Sequence, residues 1–309
     1  MGQNHLRVLS HLQGVSLDFL FDPNADGVRE LSDSFGVPLV QDLDRALRTV
    51  DAVVISSPTS THDSYFMQAA EFVPNVFVEK PLTDRLASSR EIAKKVEQRG
   101  INLQVGFIER FNPAVEELRK LLDRSEKVVS VDFTRTNKLS ARITDVDVVL
   151  DLMIHDIDLA LHLNGPVKSV DAHGLVNNGM IEFASGLLSH ENGRFSRIQA
   201  SRITDKKIRS IQATCADMFV DCELLRKELI VSRQSEIRQV PGEPYVITAI
   251  EESIEVRPQE ALLLELQAFI HTCAGQARTE APNAYDGLAA MEVADQIQRA
   301  ILRPIEAKN

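Results

Sequence analysis

Four ionisable side chains recur at helical spacing in one segment of the chain. Asp147, Asp151, His155 and Asp158 follow one another at intervals of four, four and three residues, which places them on one face of an α-helix. An imidazole beside a carboxylate can move a proton near neutral pH. The sequence therefore indicates a proton-transferring pair, Asp151 and His155.

Two other interpretations of this segment stay open. Two carboxylates and one histidine can bind a metal ion, although the pattern favours this less and we predict no metal. The same side chains can instead form a capped, partly buried polar face. The proton-transferring pair is preferred because Lys80 supplies a plausible third partner.

Lys80 belongs to the tripeptide Glu79-Lys80-Pro81, which follows the apolar run Val76–Val78. Open α/β sheets bind their ligands at the carboxyl ends of the strands. Pro81 removes a backbone donor and stiffens the turn. A lysine held in such a crevice can donate to a substrate oxygen, whereas the alternative is an ordinary solvated surface charge.

The first half of the chain alternates strand and helix patterns. Such a βαβα rhythm is typical of a parallel, doubly wound sheet. The expected strands are Leu17–Phe21, Ala52–Ser57, Val76–Val78 and Asn102–Phe107, and the expected helices are Ala25–Phe35, Thr61–Phe72 and Asp84–Arg99.

The second half predicts a helix over Asp147–Leu163 and an open, mainly antiparallel sheet, with turns at Asn178-Gly179 and Asn192-Gly193. We therefore expect a Rossmann-like dinucleotide-binding domain over residues 1–110 and an α+β substrate-binding and oligomerisation domain over residues 111–309, with a C-terminal helix able to pack back on the first domain. The expected strands are Val128–Thr136, Ser169–Leu175, Met180–His190, Ser196–Arg202, Ile208–Ala213, Met218–Cys222 and Glu228–Ser232, and the closing helices are Pro258–Ala274 and Tyr285–Arg303.

The beginning of the chain departs from a dinucleotide-binding pattern. Such folds open with a strand and a G-x-G-x-x-G turn, whereas this sequence starts as a helix, with Gly2 in the place of a last fingerprint glycine. One interpretation places the native start about a dozen residues upstream, since a strand and turn need that length. The other is a domain without its first strand, which leaves neighbouring backbone groups unpaired. We favour the upstream start.

Two further groups of residues lie where a dinucleotide binds. Asp22 ends the second strand of the pattern, where an acid accepts bonds from the ribose hydroxyls and disfavours a 2′-phosphate, so we expect NAD rather than NADP. The alternative is a turn or cap role in Asp22-Pro23-Asn24. Small and hydroxyl residues that open the next helix let a cofactor approach the backbone amides, or simply cap that helix. This second group is Ser57, Pro58, Thr59 and His62.

Several polar residues can contact a substrate. Arg110 and Asn112 follow a strand and can reach a ligand, or can cap a helix that begins at Pro113. Arg135, Lys138 and Arg142 can meet a diphosphate, or can be solvated surface charges.

Composition excludes several classes of partner. The 309 residues carry 34 basic and 45 acidic side chains, a net charge of −11, which argues against nucleic acid. No apolar run reaches the length of a membrane span, and the N-terminus lacks the apolar core of a signal peptide, so we expect a cytoplasmic protein. The three cysteines are too sparse for a disulfide framework and are expected to be buried thiols.

Three motifs together resemble the glucose–fructose oxidoreductase/inositol dehydrogenase (Gfo/Idh/MocA) family. They are Val78-Glu79-Lys80-Pro81-Leu82, then Gly106-Phe107-Ile108-Glu109-Arg110-Phe111-Asn112-Pro113, then Asp151-x-x-x-His155-x-x-Asp158. The resemblance implies a Rossmann domain, a second domain with an open antiparallel sheet, and an oxidoreductase that uses NAD or NADP on sugars, inositols or sugar nucleotides. It also implies a homodimer or homotetramer formed through the open sheet face.

The resemblance implies roles for the candidate residues. Lys80 would donate to the reacting oxygen, His155 would take the hydroxyl proton, and Asp151 would orient the imidazole or hold an adjacent hydroxyl. By the same resemblance Gly2, Asp22, Glu79 and Lys80 belong to the cofactor site, with the hydroxyl-rich segment after Ser56. Arg110, Asn112 and Arg142 join Asp151 and His155 at the substrate.

Within the family, Arg142-Ile143-Thr144-Asp145-Val146 looks most like UDP-N-acetylglucosamine 3-dehydrogenases. That similarity implies NAD-dependent oxidation of a secondary hydroxyl, at the 3-position of this sugar nucleotide. The alternatives are an inositol dehydrogenase, a keto-sugar reductase, or a non-catalytic sensor or scaffold with a degraded cofactor site.

Overall fold

The computed structural model describes residues 1–138, 146–233, 250–276 and 281–306, with only the backbone for residues 304–306. The chain divides into two compact units. The first comprises Met1–Ile108 and Glu260–Met291, and the second comprises Glu109–Gln259 and Glu292–Asn309. The first unit therefore includes a segment, Glu260–Met291, that follows the whole second-domain sheet in sequence.

The helices follow the expected order, with one addition that the sequence did not predict, α3. They are α1 (Gly2–Leu9), α2 (Ala25–Phe35), α3 (Leu43–Leu47), α4 (His62–Ala69), α5 (Leu86–Arg99), α6 (Pro113–Arg124), α7 (Ile154–Asn164), α8 (Ala261–Cys273) and α9 (Ala284–Glu306). The helix α6 begins at Pro113, as one of the two interpretations of Arg110 and Asn112 required.

The first unit contains a parallel three-stranded sheet. Its strands are β1 (Ala52–Ile55), β2 (Asn75–Glu79) and β3 (Asn102–Gly106), in the spatial order β1-β2-β3. Every residue of β2 from Val76 to Glu79 is buried, as the apolar run predicts for a central parallel strand. Phe77 packs in a core that also includes Val8, Leu266 and Phe269. The predicted parallel sheet is confirmed.

The prediction of a strand over Leu17–Phe21 is wrong. Leu20 makes a single parallel bridge to Leu39, with its N–H donating to Pro38 and its carbonyl accepting from Val40. Within the described residues β1 is an edge strand of its sheet, so this pair has no third strand to extend it. Isolated two-stranded pairing is marginal, which accounts for one bridge in place of a ladder.

The second unit is built on an eight-stranded sheet. All neighbouring strands are antiparallel except β4 and β7, which are parallel, so the expected mainly antiparallel sheet is confirmed. The spatial order is β11-β10-β9-β8-β4-β7-β6-β5. The strands are β4 (Val128–Thr136), β5 (Val167–Asn177), β6 (Met180–His190), β7 (Phe195–Ser201), β8 (Ile208–Cys215), β9 (Met218–Glu223), β10 (Glu228–Arg233) and β11 (Ile250–Ile254), the last of which the sequence did not predict.

The two faces of this sheet differ in chemistry. One face is apolar and buried, with Val131 and Phe133 of β4 beside Ile198 and Ile211 of the flanking strands, and α6 and α7 pack against it. The opposite face is exposed and yet carries large apolar side chains, each between 38% and 43% accessible. These are Leu187, Phe195, Phe219 and Ile230.

The three cysteines are free thiols. Cys215 and Cys222 are buried and Cys273 is half-buried, and burial raises the pKa of Cys222 to about 12 and that of Cys273 to about 11. Among the described helices, none combines the length and the hydropathy that a bilayer crossing requires.

Candidate active site

Lys80 lies at the carboxyl end of β2, where the chain turns through a cis peptide bond into Pro81. Its backbone N–H donates to Oε2 of Glu79 over 3.1 Å. The lysine is half-buried, whereas Glu79 on one side and Pro81 on the other are buried. The structure therefore fixes the lysine backbone from a buried turn, in the position expected from the sequence.

The side chain of Glu79 is directed into the first unit. Its Oε1 accepts a 2.7 Å hydrogen bond from Nε2 of His5 in α1, and the His5 ring meets Phe77 edge-on, with the ring centres 5.3 Å apart. His5 and Glu79 are only 2% and 6% exposed. The carboxylate supports the Lys80 turn, and its contact with a cofactor stays a prediction.

The loop after β1 is held by hydroxyl groups and by His62. Thr61 Oγ1 lies 2.8 Å from both Ser57 Oγ and the Pro58 carbonyl oxygen. His62 is buried, and its ring contacts two carbonyl oxygens, that of Pro81 at 2.9 Å and that of Ser57 at 3.0 Å. This loop and the Lys80 turn are thus joined through one imidazole.

The start of α1 has features that fit a dinucleotide. A Cβ on Gly2 would lie 3.1 Å from Ser56 Oγ, so glycine permits the close approach of α1 to the loop after β1. No side chain caps α1 and no acidic residue lies in its first turn, which leaves its amides suited to phosphate. Asp22 is half-buried, and its Oδ1 accepts from the Asn24 amide at 2.8 Å.

The helix that carries Asp151 and His155 is wider at its start than the sequence predicts. Val149–Met153 forms a π-helix, which passes into the α-helix α7 at Ile154. Asp147 caps this start, because its Oδ1 accepts the amides of Val149 and Leu150, and Gln298 donates to its Oδ2 over 2.8 Å. The prediction of one regular α-helix is therefore wrong, and the wider turn lies at Asp151.

Exposure separates the candidate residues from their neighbours. Asp151, Leu152 and His155 are half-exposed, whereas Met153, Ile154 and every residue from Asp156 to Ala160 are buried. Asp151 Oδ2 lies 3.6 Å from a guanidinium nitrogen of Arg202, which also donates to the Val146 carbonyl. His155 is thus a half-exposed residue on an otherwise buried stretch of helix, and its Nδ1 is buried.

Arg135 anchors the helix beneath His155. Two of its nitrogens donate to the two oxygens of Asp156 at 3.0 and 2.8 Å, and the third donates to Glu109 at 2.9 Å. Arg135 is 1% exposed. The interpretation that Arg135 meets a diphosphate is therefore wrong, because its guanidinium is buried and fully engaged by carboxylates.

The charges in this cluster shift one another. Burial raises the pKa of Asp156 despite its bonds to Arg135. Burial alone would raise the pKa of Glu109 as well, but Arg135 and Asn112 hold it below its usual range. Burial and the facing charge of Arg135 lower the pKa of Arg209, which lies opposite Arg135 on β8.

A second buried ion pair flanks the first. The Arg110 guanidinium donates to Asp158 from two nitrogens, at distances from 2.6 to 3.1 Å, and both side chains are buried. Asn112 caps α6 by accepting from the Ala114 amide and donates to Glu109, so the structure shows the capping role that the sequence left open. Ligand contacts for Arg110 and Asn112 stay predictions.

The sequence predicts two other substrate contacts, those of Lys138 and Arg142. Lys138 is exposed and pairs with Asp205. Arg142 lies outside the described residues. Among the described residues, His, Cys, Asp and Glu form no group of three that could hold a metal ion.

Sequence reasoning missed Arg202, Arg209 and the structural role of Arg135, although strand alternation contains a signal for them. Residues 131, 133 and 135 share the buried face of β4, so Arg135 is a charge on an apolar stripe. Arg209 precedes Ile211 on the same face of β8, and Arg202 follows Ala200 of β7. A charged residue on a buried face requires a partner of opposite charge.

We expect Arg135→Met to lower the free energy of unfolding by about 3–5 kcal/mol, because it leaves Asp156 and Glu109 buried without their cation. Urea denaturation measures the loss. The matched control is Arg197→Met, which removes an exposed pair with Asp132 worth about 0–1 kcal/mol. Equal losses in the two variants would contradict the anchoring role.

Comparison with known proteins agrees with this architecture. Residues 1–107 match the model of the oxidoreductase family with an NAD-binding Rossmann fold, and residues 128–217 match the Gfo/Idh/MocA C-terminal domain. The chain is 27% identical to UDP-N-acetylglucosamine 3-dehydrogenase of Acidithiobacillus ferrooxidans, over 92% of this chain and 87% of that protein.

Two further similarities cover most of the chain. It is 31% identical to scyllo-inositol 2-dehydrogenase (NAD(+)) of Bacillus subtilis, over 79% of this chain and 73% of that protein. The solved structure of UDP-N-acetylglucosamine 3-dehydrogenase GnnA from Acidithiobacillus ferrooxidans shares the fold, with a TM-score of 0.86 at 24% identity over 97% of this chain and 94% of that one. With both domains matched in order, the chain belongs to the Gfo/Idh/MocA family of NAD-binding oxidoreductases.

Proposed function

We propose that this oxidoreductase oxidises a secondary hydroxyl group of a sugar, sugar nucleotide or inositol with NAD⁺. The observation that carries the proposal is His155, a half-exposed histidine on a buried helix that the Arg135 and Arg110 ion pairs hold in place. A general base must be accessible to its substrate and rigidly placed. The names of the relatives support an alcohol as the substrate.

Three side chains divide the chemistry. His155 takes the proton of the substrate hydroxyl, and Asp151, on the widened turn before it, orients the imidazole or holds an adjacent hydroxyl. Lys80 donates a hydrogen bond to the reacting oxygen and stabilises the negative charge that develops there. The nicotinamide, when bound, supplies the acceptor for the hydride.

The first unit would hold the cofactor. We propose that the start of α1 at Gly2 and the loop of Ser57, Pro58 and Thr59 face the pyrophosphate, and that His62 supports this loop from beneath. Asp22 would accept the ribose hydroxyls. A carboxylate at this position disfavours a 2′-phosphate, so NAD is the proposed cofactor in preference to NADP.

The substrate proposed first is UDP-N-acetylglucosamine, oxidised at its 3-hydroxyl. The support is the similarity to the Acidithiobacillus ferrooxidans enzyme over 92% of this chain. An inositol is the second candidate, because the Bacillus subtilis relative is 31% identical. Both substrates present a secondary hydroxyl on a six-membered ring, so the same three side chains serve either.

We also propose that copies of the chain associate through the exposed face of the eight-stranded sheet. Leu187 and Phe195 lie on this face on adjacent strands, and Phe219 and Ile230 lie on it farther along the sheet. Large apolar side chains grouped on one exposed face are typical of a protein interface.

The first expected outcome concerns catalysis. Lys80→Met and His155→Asn should each lower kcat by about 10²–10⁴-fold, the usual contribution of acid–base help, while NADH still binds. NADH absorbance with UDP-N-acetylglucosamine and with scyllo-inositol measures turnover, and fluorescence titration measures binding. The exposed residues Lys94 and His271, changed to Met and Asn, are the controls. Near-normal turnover in both site variants would refute the assignment.

The second concerns cofactor choice. Asp22→Ser should raise the preference for NADP⁺ over NAD⁺ by about 10- to 100-fold in kcat/KM, the equivalent of one charge-assisted hydrogen bond. Asp18→Ser, an exposed aspartate of the same segment, is the matched control. An unchanged preference would show that Asp22 does not contact the ribose.

The third concerns association. Replacing both Leu187 and Phe219 with Asp should yield a monomer in light scattering, because four desolvated charges (two from each copy) would face one another across the sheet interface. Leu225→Asp, which alters an exposed apolar residue in the turn between β9 and β10, should leave the oligomer intact. An oligomer of unchanged mass in the double variant would exclude this face.

A further inference from the structure

Both neighbours of Lys80 in the sequence are fixed by buried histidines from different helices. His5 of α1 donates from Nε2 to the Glu79 carboxylate at 2.7 Å. His62, the first residue of α4, contacts the Pro81 carbonyl from Nδ1 at 2.9 Å. The two histidines are 2% and 1% exposed, so no solvent replaces these bonds when they are lost.

We propose that His5 and His62 are positioning residues that hold the Lys80 turn from its two sides. This inference rests on the role of Lys80 in the proposed function. Neither imidazole is required to touch substrate or cofactor. Each acts on Lys80 through the residue beside it in the chain.

His5 acts on Lys80 through both oxygens of the Glu79 carboxylate. Glu79 Oε1 accepts from His5, and Glu79 Oε2 accepts from the backbone N–H of Lys80 at 3.1 Å. Gly106 on the neighbouring strand makes room for this group, because a Cβ there would lie 3.0 Å from Oε2 and 3.1 Å from the Glu79 Cα. The carboxylate is therefore confined on both sides, and His5 sets its orientation.

His62 connects two loops, the loop after β1 and the Lys80 turn. Carbonyl oxygens only accept hydrogen bonds, so a bond to Pro81 requires a hydrogen on Nδ1 and a bond to Ser57 requires one on Nε2. The neutral tautomer with its hydrogen on Nδ1 keeps the bond to Pro81, and the doubly protonated ring keeps both. The hydrogen bond from His62 to the Lys80 turn is therefore made by Nδ1.

His5 and His62 hold the turn through different ring nitrogens, and this difference makes their roles testable. The amide nitrogen of asparagine matches the position of Nδ1, and that of glutamine matches Nε2. We expect His5→Gln to retain turnover. We expect His62→Asn to retain kcat but to raise KM for NAD⁺, because it loses the contact with the Ser57 carbonyl of the proposed cofactor loop. We expect His62→Gln and His5→Asn to lower kcat by about 10²-fold, the effect of a small misplacement of a catalytic group. KM for NAD⁺ should stay unchanged in these last two variants, since glutamine at position 62 keeps the nitrogen that faces Ser57.

The crossed pattern separates positioning from general stability. If the two histidines had a purely structural role, the kcat values of the variants would follow their thermal unfolding midpoints and not the matched nitrogen. His271 of α8, exposed in the same unit, provides the controls His271→Asn and His271→Gln, which should behave alike. If Asn and Gln are equivalent at positions 5 and 62, the proposal is overturned.

Amide hydrogen exchange tests the proposal without turnover. Exchange at the Lys80 amide should accelerate in His5→Asn and His62→Gln, and should stay slow in His5→Gln and His62→Asn. This crossed exchange pattern, found together with normal turnover in Lys80→Met, would uphold the positioning and refute the proposed function. Uniform exchange across the four folded variants would refute the positioning itself.

Discussion

The second unit depends on one buried guanidinium. Arg135 lies on the apolar face of the sheet and binds Asp156 of α7 and Glu109 ahead of α6, so a single cation joins a strand to two helical segments. Removing such a charge from water is costly, and only carboxylates at hydrogen-bond distance repay that cost. The positions of α7 and of His155 on it follow from this requirement. A hydrophobic residue at the same position would fill the space without specifying which turn of α7 packs there.

The first unit solves a similar problem with smaller charges. Its candidate lysine follows a strand with the apolar run Val76–Val78, and hydrogen bonds from His5 and His62 hold the turn in place of a buried ion network. An imidazole can donate from either nitrogen, so it can join a carboxylate or a carbonyl without bringing a permanent charge into the interior. Lys80 is thereby a half-buried cation between two buried neighbours, Glu79 and Pro81.

Much of the fold could be predicted because it depends on local patterns. The apolar run Val76–Val78 and the turns at Asn178-Gly179 and Asn192-Gly193 predicted the two kinds of sheet correctly. The prediction failed at Leu17–Phe21, whose apolar pattern predicts a strand while pairing depends on a distant neighbour. It also failed at Val149–Met153, since helical periodicity does not distinguish a π-helix from an α-helix over a single turn. Arg135 had the right residue type for a ligand contact, but its tertiary partners Asp156 and Glu109 engage it internally.

The sequence by itself determined the family, the two kinds of sheet and the side chains able to do chemistry, because these follow from residue type, order and spacing. Only the tertiary structure decided which charges are accessible. Asp151 and His155 remain half-exposed. Asp156 and Asp158 are carboxylates of the same segment as Asp151, but they are buried against arginines. The physical reason is that a carboxylate is structural or reactive according to its bonding partners and its exposure to solvent. Residues far away in the chain set both the partners and the exposure.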